Sequence, residues 1–154
     1  DRRFSMIERL QFVFPAEQVT AEAELLWTEA PTTCERIIQT LPLQGATHHA
    51  IYSGSECVLL LPSVIRLPPE NATSQVTRGD IAFTWMKAGS SYGVSSDFAE
   101  ICWFYDFDAQ PRMWEGPVEV NVFARFIEPA MAFYDVCRKM RREGVKALEV
   151  KVVT

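Results

Sequence analysis

Period two is the strongest constraint in this chain. From Leu10 onward, short runs of alternating apolar and polar residues follow one another, and only two stretches have helical spacing. Leu10, Phe12 and Phe14 alternate with Gln11 and Val13. Across a turn at Pro15-Ala16-Glu17-Gln18, Ala21, Ala23, Leu25 and Trp27 share one face, with Glu22 and Glu24 on the other. Residues 47–52 and 56–61 read as a hairpin turning at Ser53-Gly54-Ser55. Ile81, Phe83 and Trp85 form a further strand, residues 101–107 the most apolar one, and residues 118–126 and 148–152 the last two. Many short strands separated by turn residues are the grammar of a small closed β-structure.

The first helical stretch follows Pro31. Thr32 and Glu35 have the spacing of a capping box, Cys34, Ile37, Ile38 and Leu41 form an apolar stripe, and Pro42 ends it. The second begins near Pro129, buries Phe133, Val136, Cys137 and Met140, and stops at Gly144. Arg138, Lys139, Arg141 and Arg142 crowd its last turns. They could form a binding patch, but cations there also offset the helix dipole, the reading that suits an acidic chain.

The chain has 154 residues, 48% of them hydrophobic and 23% charged, which fits one globular domain over residues 1–154, without repeat or linker. A net charge of −5 argues against a nucleic-acid module, whose footprint is a basic face. No apolar run approaches the ~18 residues that span a bilayer. The opening Asp1-Arg2-Arg3-Phe4 has no apolar signal core and no initiator Met, so a trimmed or incomplete start is expected. Cys34, Cys57, Cys102 and Cys137 lie on apolar faces without a CxxC, and read as free thiols in a reducing cytoplasm. The Asn71-Ala72-Thr73 sequon is discounted, since nothing else suggests secretion.

The stretch His48-His49-Ala50-Ile51-Tyr52-Ser53-Gly54-Ser55-Glu56, with the apolar run from Cys57 to Leu61 behind it, gathers the chemistry. Adjacent strand residues point to opposite faces, so His48 and His49 cannot chelate one ion together, and no metal or other cofactor is expected. One histidine should face inward, as a satisfied core residue or as an acid/base. Tyr52-Ser53-Gly54-Ser55 lacks the GxSxG elbow of serine hydrolases. Cys57 sits in an apolar strand, which raises a thiol's pKa. Asp97, Glu100, Asp106 and Asp108 flank the aromatic strand, where solvated strand ends are expected. The polar loop of residues 67–80 is long enough to serve a function.

The order strand, strand, helix, several strands, helix, strand resembles the cyclophilin-like β-barrel, here of about eight strands. His49-Ala50-Ile51-Tyr52-Ser53-Gly54, Glu70-Asn71, Gly79-Asp80-Ile81, Glu100-Ile101 with Phe104-Tyr105, and Gly116-Pro117 followed by Asn121-Val122-Phe123-Ala124-Arg125 resemble a small prokaryotic family of unknown function with that fold. The likeness runs from about Ala21 to Val153. It implies a mainly β fold with two short helices and carries over no catalytic set. Cyclophilin prolyl isomerases place an arginine after a Phe-His pair, where this chain has Ala50 after His48-His49, so prolyl isomerase activity is not expected.

The resulting expectation is a cytoplasmic protein that binds a small polar metabolite with a carboxylate or amide group, in a role auxiliary to the catabolism of amino acids or related amides. The pocket, at the barrel mouth or on its face, would be lined by His49, Ser53, Glu70, Asn71 and Tyr105. Two alternatives stand beside it. One is an isomerase or hydrolase with His49 as acid/base. The other is a non-catalytic subunit of a homo-oligomer joined through residues 103–107, since a strand apolar on both faces is either central to a core or half of an interface.

Overall fold

The computed structural model describes residues 7–154. The opening four residues, and the reading placed on them, lie outside that range. Eleven strands and two helices follow in order: β1 (Arg9–Phe14), β2 (Val19–Leu25), α1 (Pro31–Ile38), β3 (Leu43–His49), β4 (Glu56–Leu60), β5 (Ala72–Thr73), β6 (Asp80–Met86), β7 (Phe98–Phe104), β8 (Arg112–Met113), β9 (Gly116–Pro117), β10 (Val120–Phe126), α2 (Met131–Glu143) and β11 (Lys146–Val153). The main sheet runs β2-β1-β11-β3-β4-β7-β6-β10, and β10 pairs back onto β2. The result is a closed, antiparallel eight-stranded barrel with two helices.

Period two builds it. Leu10, Phe12 and Phe14 of β1, Ala21, Ala23 and Leu25 of β2, and Leu148 and Val150 of β11 all point inward and are buried. An eight-stranded barrel either fills with side chains or leaves room for a small ligand. This one is filled. Phe12 meets Trp103 edge-on at 5.5 Å and Phe126 at 5.0 Å, and Phe133 of α2 stacks on Phe14 at 4.9 Å. A ligand site therefore has to lie outside the barrel wall.

β7 is apolar on both faces because it is central to the core. Ile101 and Trp103 point inward. Cys102 and Phe104 point outward into a second buried cluster with Ala82, Val120 and Val122. Trp103, Phe104 and Tyr105 are all covered within the chain, and of the aromatic stretch only Phe107 is exposed.

The start of α1 departs from the sequence reading. Pro31 occupies the first helical position and leaves Ala30 as the N-cap, which has no side-chain acceptor. The carboxylate of Glu70 replaces it, accepting the backbone N–H of Thr32 at 3.1 Å and of Thr33 at 2.7 Å. Thr32 lies inside the first turn and forms no capping box with Glu35. The cap is supplied across 38 residues of chain.

After β7 the chain folds back over the outer face of the barrel and docks on the loop between β3 and β4. Gln110 N–H donates to the Ser53 carbonyl at 3.0 Å, and Tyr105 N–H donates to the Ser55 carbonyl at 3.0 Å. Gly54, with φ +71°, makes this possible: a Cβ there would sit 2.3 Å from the Asp108 carbonyl oxygen. The β8–β9 hairpin then stands over β4, β6 and β7.

Candidate functional site

Two polar regions meet at the β3–β4 loop. The first lies on the inner side, against α2. His49 Nδ1 is 2.8 Å from the Ala50 carbonyl and therefore carries the proton. Nε2 is left as an acceptor, with the Tyr105 hydroxyl at 2.6 Å and Arg141 Nε donating at 3.2 Å. Arg141 Nη2 also donates to Ser55 Oγ at 3.4 Å. Burial, helped by the Arg141 charge and opposed by the Ala50 carbonyl, holds the His49 pKa below its usual value. Burial raises that of the Tyr105 phenol. Both imidazole nitrogens are thus occupied by the protein's own groups.

The second region is a cleft of about 320 Å³ on the outer face, between the β3–β4 loop and the β8–β9 hairpin. Ile51, Tyr52, Val58, Phe98 and Met113 give it apolar walls. Its polar lining is His48, His49, Ser53, Arg112 and two carboxyls, Glu56 of β4 and Glu100 of β7. Both project outward, each two residues from the directly paired Val58 and Cys102. Glu56 is only 5% exposed. Burial lifts its pKa to about 7, against weaker lowering by Ser53 and Cys102. Burial, reinforced by the Glu56 charge, lifts that of Glu100 to about 8. Glu56 ionises first while Glu100 is neutral, so Glu100 is the one that feels a neighbouring charge.

Glu100 takes no hydrogen bond from any of the described residues. Arg112, the nearest cation of the hairpin, gives its main chain to the staple instead. Its N–H donates to Ser53 Oγ at 2.9 Å, Ser53 Oγ donates back to its carbonyl at 3.2 Å, and its guanidinium donates to Gln110 at 2.9 Å.

His49, Ser53 and Tyr105 are brought together around one loop; His49 and Ser53 also line the cleft, and Tyr105 reaches it only through its hydrogen bond to His49. Glu70 and Asn71 lie elsewhere. Glu70 caps α1, and although burial would raise its pKa, the Thr33 and Thr32 donors outweigh that and lower it. Asn71 Nδ2 donates to the Val122 carbonyl at 2.9 Å. A separate hollow of about 480 Å³ near them, between Arg66, Leu67, Pro68 and β6, is larger, and several of its polar groups are bound to one another. Trp85 Nε1 donates to the Leu67 carbonyl at 3.1 Å, and the buried Asn121 amide bonds Glu70 N–H, Pro68 and Thr33.

Glu56, Glu100 and Arg141 were not among the expected site residues. Glu100 was grouped with solvated strand ends. The grouping suits Asp97 and Asp106, which pair with Arg66 and Arg138, but β7 begins at Phe98 and places Glu100 well inside the strand. An acid in a run apolar on both faces was the available signal. No group of three or more His, Cys, Asp or Glu among the described residues is arranged to hold a metal ion. All four cysteines are free and buried. No helix among the described residues is long and apolar enough to cross a membrane.

No curated protein matches the sequence. Among solved structures, McbB, determined in complex with tryptophan, is similar with a TM-score of 0.70 at 14% identity, over 92% of this chain. The chain spans 44% of the length of McbB. The solution structure of the hypothetical protein AF2241 from Archaeoglobus fulgidus is similar with a TM-score of 0.60 at 20% identity, covering 96% of this chain and 95% of that one. At such identities these likenesses show the fold alone. The sequence itself goes further: residues 13–152 match the model of the protein family of unknown function DUF3830, and the chain belongs to that family.

Proposed function

We propose that this protein binds a small molecule in the outer cleft, with the Glu56 and Glu100 carboxyls as the groups that anchor it. The observation that carries this reading is the state of Glu100. Glu100 is a half-buried carboxyl that faces an open cleft of about 320 Å³ and takes no hydrogen bond from the described residues, so its oxygens are free to meet a ligand. Apolar walls with a few convergent polar groups of shifted pKa are the usual make-up of a ligand site. McbB, similar in fold to this chain over 44% of its length, was determined in complex with tryptophan, which supports a small-molecule ligand as the class to test. The ligand would carry a hydrogen-bonding group, as an amide does. A ligand carboxylate, the other expectation from sequence, would face two acids and is disfavoured. The element order supports a cyclophilin-like assignment within the barrel class. Four free, buried thiols support the cytoplasm as the compartment.

A thermal-shift screen of wild type and Glu100→Gln against amino acids, amides, hydantoins, ureido acids and amines tests the reading. A ligand at ~100 times its dissociation constant adds ~2.7 kcal/mol, a rise of several degrees in a domain of this size. The expected result is a shift for one chemical class that shrinks in the variant. No shift with any class, or equal shifts in both proteins, would overturn it.

A further inference from the structure

Resting on that reading of the cleft, we propose that its ligand is an organic cation: an amine or amidine with an apolar body, its charged head set between Glu56 and Glu100. Two acids sit on the same outer face of neighbouring strands, one of them 5% exposed and the other without a hydrogen bond from the described residues. Nothing on the elements around them neutralises the pair. Cys102 lies between them and burial holds it as a thiol, Thr84 of β6 is uncharged, His48 of β3 is exposed, and Arg112 turns its guanidinium to Gln110.

In an apolar cleft, two such carboxyls gain most from a group that brings positive charge. A neutral amide supplies hydrogen bonds but no charge to favour the ionised acids. The mouth of the cleft suits the remainder of such a molecule. Ile51 is 85% exposed and Trp114 67%, and Tyr52 packs edge-on to Trp114 at 6.1 Å. An exposed aliphatic and aromatic rim beside buried acids matches a molecule with one cationic end and one apolar end, and the ring faces add attraction for the cation. Because the acids hold protons near neutrality, the incoming cation drives those protons into solution.

Three isosteric probes separate the classes: 2-phenylethylamine, 2-phenylethanol and 2-phenylacetamide. Titrations followed by calorimetry and by the Trp114 indole N–H signal should show the amine binding at least tenfold tighter than the other two. Its affinity should rise from pH 6 to pH 9, and the heat should depend on the buffer because protons are released. Glu100→Gln and Glu56→Gln should each weaken the amine at least tenfold, and the amide by a much smaller factor. If the alcohol or the amide moves the Trp114 signal as strongly as the amine does, the cleft remains a ligand site and the cation assignment falls. Amine binding that is unchanged by either substitution, or insensitive to pH, overturns the proposal. If none of the three binds and the broader screen is also silent, both the cation assignment and the cleft reading fall.

Discussion

The His49 cluster and the Glu56–Glu100 pair meet at one loop, where His49 also lines the cleft, and they treat polar groups in different ways. In the first, every ring nitrogen is matched: Ala50 accepts, and Tyr105 and Arg141 donate. In the second, Glu56 has Ser53 and Cys102 beside it, while Glu100 takes no hydrogen bond from the described residues. A saturated network rigidifies a fold, whereas an unsaturated one costs stability, and its persistence calls for a use. On the proposed reading, structural work falls to the histidine and binding work to the carboxyls, the reverse of what residue type alone suggests.

The largest effect that would break this comparison is in pH dependence. Glu56 and Glu100 have folded-state pKa values near 7 and 8, raised above those of an exposed carboxyl. The folded state therefore binds more protons than the unfolded chain, and stability falls as pH rises from about 4.5 through 8. The loss should be on the order of a few kcal/mol by pH 9. Glu100→Gln should remove much of that fall and be more stable than wild type at pH 9, by urea melts at fixed pH. A variant no more stable than wild type at pH 9 would mean that Glu100 is solvated or already partnered.

Gly54 comes next, because both regions depend on its close approach to Asp108. Gly54→Ala combines a positive φ with a Cβ 2.3 Å from a carbonyl oxygen, and should cost about 2–4 kcal/mol. The same variant should lose cleft binding, since the staple from Ser53 to Gln110 and Arg112 would shift. Retained affinity at lower stability would show that the cleft does not need this loop.

The contrast also explains what was legible in advance. Alternation carried a small closed β-structure, and the order of the elements, through the resemblance it has, carried the barrel of about eight strands. The loop at the centre of the site was legible too, because His48 to Glu56 concentrates polar chemistry beside an apolar strand. The partners were not. Arg141 reaches His49 across 92 residues, and nothing local separates it from its neighbours Arg138, Lys139 and Arg142. Glu70 and Asn71 were conspicuous as polar loop residues. The role of Glu70 follows from Pro31 displacing the cap position onto Ala30, and that of Asn71 from its bond to the Val122 carbonyl of β10, both consequences of tertiary contact. Glu100 was misjudged through a boundary: a strand taken to begin at Ile101 leaves it at an end, whereas one beginning at Phe98 places it inside.

The smallest effect sharpens the comparison from the other side. Tyr105→Phe removes the hydroxyl that donates to His49 Nε2 at 2.6 Å while keeping the ring in the core. Arg141 still reaches the same nitrogen, so His49 is not orphaned, and the cost should be about 1 kcal/mol. Amine affinity should change by less than twofold, since neither Tyr105 nor the His49 nitrogens supply the anchoring groups. The acid limb of stability provides the internal control. His49 has a folded pKa below its unfolded value, so its contribution is complete above the unfolded value and is lost as pH falls below it. That limb should move in Tyr105→Phe, while the alkaline limb set by Glu56 and Glu100 stays in place. A Tyr105→Phe protein that instead loses ligand binding, with both limbs unchanged, would transfer the binding role back to the histidine side of the loop.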